Sequence, residues 1–281
     1  MLSVVTFLLL LRLLIERYHG SFKLVYNKDP ILNNMNKVTA SIFFILFSTQ
    51  FSSVFGQSPD YTDYNVLLNK YVSPQIKSGI PVNWVDYTGL SKDISFNKVV
   101  KTIENFPVDQ LDGEAETLSF YINAYNIFAI KMVRDHWPLK SIKDAGSWLR
   151  PVWDKPIGKI NGKEVSLGMI EHEILRPMND PRIHFAIVCA SLSCPDLRSE
   201  AYRADELHEQ LQGQAIQFLT NQAKGLKVEN SVIHVSKIFD WFEEDFSSYG
   251  GADSFIHGLI DMPSDIPIKT DMEYNWSLNG Q

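Results

Sequence analysis

Cysteine is nearly absent: the 281 residues hold two, Cys189 and Cys194. That excludes a disulfide-stapled scaffold and any zinc site built on cysteine alone. Positive charge is in deficit as well. Residues 1–56 carry five of the 26 Lys/Arg and two of the 33 Asp/Glu, so residues 57–281 hold 21 basic and 31 acidic side chains, a net −10. Without a basic stripe to meet a phosphate backbone, nucleic acid is not an expected partner. The sequence has no low-complexity tract and no internal repeat. Long apolar runs are scarce, and the two that could engage a membrane lie within the first 56 residues.

The second of these, Val38 to Phe55, comes after Lys37 and ends in Val54 and Gly56 at the −3 and −1 positions of a cleavage site. A basic start, a short apolar core and small residues at the cut are the marks of an export signal, here 35–56. A membrane anchor is the rival, although the run is short and carries Ser, Thr and Gln. The first run, Leu2 to Ile15, is broken by Arg12. Because a signal begins at the initiator, translation is expected to start at Met35, with residues 1–34 an upstream extension rather than a membrane helix. The chain would then be exported, periplasmic or secreted, with no stable membrane insertion once the signal is removed. The remainder has the length of one large domain or two small ones.

Residues 57–84 read as a lead-in helix and residues 85–281 as the main domain. In the latter, Leu118, Ile122, Tyr125, Ala129 and Met132 recur at helical spacing, which predicts a core helix from Glu114 to about Asp135, stopped by Pro138. Asn161-Gly162 predicts a hairpin within 157–167. Ser166 caps a helix running to about Arg176. Alternation predicts a strand at 182–189, then a helix near 203–222, a hairpin around Glu229-Asn230-Ser231 and a helix from Ser236 to Gly250-Gly251. Helices and hairpins without regular alternation give an α+β class: one domain with a central core helix packed on a mixed or antiparallel sheet.

The chemistry-bearing residues are few. Asn123 and Asn126 share a face of the core helix, as a polar pocket wall or as clamps on neighbouring loops. His172-Glu173 does not make a metalloprotease helix, because the second histidine is replaced by Arg176. His172 is either packed or one wall of a site, and Glu171 or Glu173 could orient a histidine. In a strand, Cys189 would face away from His184 and be a packed thiol, leaving Cys194, in the loop before Pro195, to carry any reactivity. His184 or His172 would then be its base. A Cys189–Cys194 disulfide and two inert thiols remain open. Zinc on Cys189, Cys194, His172 and His184 lacks a compact CxxC, so no metal and no cofactor is expected.

The stretches "FYINAYN", "WDKP" (153–156), "SLGMIEHEILRP" (166–177), "DPRIHFAIVCASLSCPDLRSEAY" (180–202), "KIFDWFEEDF" and "YNWSLN" (274–279) together resemble the domain-of-unknown-function 547 family. The resemblance spans most of 85–280 and implies an exported bacterial member, with no mechanism attached. It matches at Asn123, Asn126, Asp154, His172, Arg176, Arg182, His184, Cys189, Ser191, Cys194 and Trp241. Family relatives joined to glutaredoxin-like modules suggest thiol chemistry by analogy. A core helix beside a histidine-bearing strand is similar to papain-like and transglutaminase-like hydrolases, but their cysteine opens the core helix and "TLSFYINAYN" has none.

Two functions are expected on these grounds. In a cysteine-dependent hydrolase-like or thiol-active enzyme, Cys194 attacks, His184 or His172 takes its proton, and Asn123 or a backbone amide holds the developing oxyanion. In a non-catalytic binding module, Asn126, Arg182, Arg176, Ser191 and Trp241 line a cleft for a small molecule, peptide or glycan.

Overall fold

The computed structural model describes residues 58–263 and 265–281. The extension, signal and membrane-helix expectations for residues 1–57 lie outside the described residues. Among the described residues no helix is long and apolar enough to cross a membrane.

The lead-in is a helix, α1 (Thr62–Tyr71), running directly into a hairpin of β1 (Val72–Lys77) and β2 (Ile80–Val85). It shares one core with the helices after it: Tyr64, Leu67 and Leu68 are buried with α2 (Tyr87–Lys92), α3 (Phe96–Glu104) and the long α4 (Glu114–Asp135). α4 has the predicted bounds. Ile122, Ile127 and Phe128 are fully buried, and acidic Glu114 and Glu116 against basic Arg134 suit the helix dipole. Next comes the predicted hairpin, β3 (Gly158–Ile160) and β4 (Lys163–Val165), turning at Asn161 with φ +51°.

The Ser166 hydroxyl accepts from the Met169 amide at 3.1 Å, as a cap should, but Met169–Leu175 then winds as a π-helix. α5 (Ile183–Ala186) is a single helical turn, which corrects the strand expected at 182–189. Asp180 accepts from the Arg182 amide at 3.0 Å, and Pro181 sits where a helix begins, so the backbone curls before it can extend. Every residue from Ile183 to Ala186 is buried, so the strand-like alternation carried no facing information.

α6 (Leu207–Thr220) leads to β5 (Leu226–Glu229) and β6 (Val232–Ser236), the second predicted hairpin. β7 (Ile268–Met272) pairs in parallel with β6. Between them, α7 (Ile238–Trp241), a 3₁₀ stretch Glu243–Tyr249 and α8 (Ala252–Leu259) surround five aromatics, Phe185, Phe218, Phe239, Phe246 and Phe255. The class is α+β, built among the described residues with three small sheets rather than one sheet under the core helix. α4 packs instead on α2, α3 and the π-helical turn.

Both helix asparagines act as clamps. The Asn123 amide donates to the Tyr202 carbonyl and accepts from the Tyr202 amide, at 2.8 and 2.9 Å. Asn126 does the same across the end of α5, donating to the Ala186 carbonyl and accepting from the Val188 amide, at 3.0 and 2.8 Å. Neither asparagine lines the cleft that holds the cysteines, which corrects the oxyanion role expected for Asn123. Asn126→Ala is expected to destabilise by about 1–3 kcal/mol, because it orphans a buried donor and a buried acceptor. Chemical denaturation checks this, and an unchanged midpoint would contradict it.

Candidate functional site

The residues from Cys189 to Cys194 form a loop held from three directions. Leu192 and Ser193 donate to the carbonyls of Ser277 and Asn275, Asn279 donates to Ala190, and the Lys224 ammonium donates to the Cys194 carbonyl at 2.9 Å. Lys224 is itself buried in a 2.7 Å ion pair with Asp196. Between the cysteines, Ala190 takes φ +56°, a conformation that costs a non-glycine residue energy and that clusters at functional sites.

This bend reverses the expected roles of the two thiols. Both thiols line a cleft of about 250 Å³, but Cys194 is 3 % exposed, whereas Cys189 is only partly buried. Strand parity no longer applies where there is no strand. Cys189 and His184 border the same cleft, together with His172, Glu171, Trp153, Trp241, Phe242, Tyr274 and Trp276.

Cys189 is the centre of the polar contacts. Its sulfur lies 3.0 Å from the Cys194 sulfur, 3.3 Å from the Tyr274 hydroxyl and 3.3 Å from the Ser191 hydroxyl. The Ser191 and Tyr274 hydroxyls also lie 3.3 Å from each other, and either can turn its proton onto the Cys189 sulfur. Hydrogen bonding from Cys194, then from Ser191 and Tyr274, overcomes the cost of burial and brings the Cys189 thiol down to about 7. Burial and the neighbouring Cys189 charge push Cys194 well up. The cysteines are free, although close together.

Glu171 is the second perturbed group. It is buried on the π-helical turn and accepts from the Tyr125 hydroxyl at 3.2 Å. Burial, then the charge on Cys189, raises its carboxyl to about 7. Two groups of one cleft, a thiol and a carboxyl, are thus both drawn toward neutrality.

The histidines are committed elsewhere. His184 Nε2 donates to Asp245 at 2.7 Å, and its ring stacks on Phe242 with centroids 4.0 Å apart. Arg176 grips the same carboxylate with two hydrogen bonds of 2.7 and 2.8 Å and also donates to His172 Nδ1 at 3.2 Å. Burial would raise Asp245, but the His184 and Arg176 bonds outweigh it and hold the carboxyl below its usual range. Burial lowers both His184 and His172, so each is neutral at pH 7. Neither histidine hydrogen-bonds a cysteine, which removes the geometry expected for a base.

Among the described residues no cluster of three or more metal-ligating side chains occurs, so the four-residue zinc arrangement does not form. Arg182 lies outside the cleft, paired with Asp180 and donating to His208. Trp241 is on the wall: it stacks on Trp276 at 5.7 Å and meets Tyr274 at 4.8 Å. Lys143 caps that wall, its ammonium 3.3 Å from the Trp276 centroid.

A family model described as protein of unknown function, DUF547, matches residues 108–219. That stretch is similar to the DUF547 family. It contains α4, the π-helical turn and both cysteines, while Trp241, Asp245, Tyr274 and Trp276 come from beyond it. The matched stretch thus supplies the thiols, the carboxylic acid and Trp153, and the later residues supply the rest of the aromatic wall. No curated protein and no solved structure matches the chain.

Sequence reasoning missed Tyr274, Trp276 and Asp245 as site residues. Tyr274 and Trp276 were visible in "YNWSLN", a tail with no periodicity and four aromatic or amide side chains in six positions.

Proposed function

We propose that the cleft is the active site of a thiol enzyme in which Cys189, rather than Cys194, is the nucleophile. The observation that carries this is the single sulfur facing Cys194, Tyr274 and Ser191 at hydrogen-bonding distance in a part-open aromatic cleft. Donors converging on one sulfur stabilise a thiolate, and the thiolate is the reactive form. Glu171 is the matched proton carrier, neutral when the thiolate forms and able to protonate a leaving group. An uncharged electrophile with a flat or apolar flank suits this wall. The export expected from residues 35–56 would put the enzyme at the cell envelope or outside it.

At pH 7, iodoacetamide is expected to label Cys189 at least ~10-fold faster than Cys194, as read by peptide mass mapping. The labelling rate should rise with pH to a plateau, with its midpoint near 7. Tyr274→Phe removes a donor to the thiolate and should move the midpoint upward by about one pH unit. Two equally slow thiols would sink the proposal.

The stacked Trp241, Tyr274 and Trp276 also favour a second reading, a binding shelf for a flat ligand such as a sugar or aromatic ring. A ligand bound equally by wild type and Cys189→Ser, with no product formed by either, would support that reading.

A further inference from the structure

We infer that Cys189 and Cys194 work as a dithiol pair, so that the site exchanges electrons with the disulfide of a small apolar or aromatic thiol. This rests on Cys189 being the nucleophile and adds a function for Cys194, which a single-thiol mechanism leaves without one.

Three observations point to Cys194 as the second reacting sulfur. The two sulfurs are 3.0 Å apart, so a disulfide needs them to close by only about 1 Å. The Cys189 backbone amide donates to Cys194 Sγ at 2.9 Å, a fixed donor aimed at a thiol that must ionise during the reaction. The loop between them is already held by Lys224 and by the chain at 275–279, so the geometry costs little further ordering. The two thiols also differ in the required sense: the more exposed Cys189 is the more acidic and the buried Cys194 is protonated at rest.

The exchange runs in two balanced displacements. The Cys189 thiolate attacks one sulfur of R–S–S–R, forming Cys189–S–S–R and expelling RS⁻. Cys194 passes its proton to that thiolate, which leaves as RSH. The Cys194 thiolate then attacks the Cys189 sulfur, forming the Cys189–Cys194 disulfide and expelling the second RS⁻. The substrate gains two electrons and the dithiol loses two. An external dithiol, reacting by the same steps in reverse, restores the reduced pair. The cleft of about 250 Å³ is small, so it fits a low-molecular-weight disulfide with one arm against Trp241 and Tyr274.

The test treats the full-length chain with 2,2′-dipyridyl disulfide and monitors pyridinethione release together with intact mass. Wild type should release two equivalents per chain and end two hydrogens lighter, with no adduct. Cys194→Ser should release one equivalent and retain a pyridyl adduct on Cys189. A wild-type chain that stops at a stable Cys189 adduct would overturn the dithiol inference while leaving Cys189 as a nucleophile. Release from Cys189→Ser as fast as from wild type would overturn both. The wild-type measurement decides alone, should the Cys194 variant not fold.

Discussion

Lys224→Ala is expected to destabilise the protein by about 3–5 kcal/mol, the usual result of removing one partner from a buried ion pair. The Lys224 side chain is 0 % exposed and that of Asp196 is 8 % exposed, so neither water nor a mobile side chain can replace the lost ammonium. The consequences extend beyond the charge. Lys224 also donates to the Cys194 carbonyl, and the Asp196 carboxylate accepts from the Asn83 amide, tying the cysteine loop to β2. Urea denaturation should show the loss, and labelling of the surviving native fraction should show Cys194 becoming more reactive. Lys224→Met with Asp196→Leu removes both charges together and should recover most of the stability, since a paired buried charge is often no better than a packed apolar pair. Equal losses in the single and double variants would contradict this account.

Glu171→Gln is expected to act in the opposite direction, stabilising the protein above pH 7. The carboxyl is raised from an ordinary 4.5 to about 7 by burial and then by the Cys189 charge. Between those values the unfolded chain has released the proton and the folded chain has kept it. Stability therefore falls as pH rises from about 4.5 to 7 and stays low beyond, by a total of about 3 kcal/mol. Glutamine cannot ionise and can still accept from the Tyr125 hydroxyl. The variant should match wild type near pH 4 and exceed it at pH 8. Parallel stability curves across that range would refute the assignment. Under the proposed thiol mechanism turnover should be lost in the same variant, because the energy stored in an awkward buried acid would make it a proton donor near neutrality.

Long-range periodicity was legible in the sequence, and short buried turns were not. The stripe from Leu118 to Met132 fixed α4 to its end residues, and Asn161-Gly162 located the first hairpin, because each signal is local and repeated. At Ile183–Ala186 the side chains are buried on all sides, so apolar identity said nothing about period. Asp180-Pro181 was the informative pair, and it marks a helix start. With a strand in place of that turn the cysteine roles came out inverted, since the facing of Cys189 and Cys194 depends on the bend at Ala190 rather than on strand parity. The cleft was half legible: His172, His184, Ser191, Trp241 and both cysteines were named, while Glu171 was raised only as a partner for histidine. Tyr274 stands 85 residues from the sulfur it touches, and no local pattern encodes such a contact.

The crossing of residues 274–281 over the cysteine loop has a temporal side. A chain made from its amino end emerges with Cys189 and Cys194 long before Tyr274 exists to donate a proton or Trp276 to close the wall. Through synthesis, and through any threading across a membrane, the two cysteines are ordinary thiols among many in the cell. Only later do Leu278, Asn279 and Gln281 bond to Lys140, Ala190 and Val85, the second of these fastening the tail to the cysteine loop and so completing the surroundings on which the proposed thiol chemistry depends.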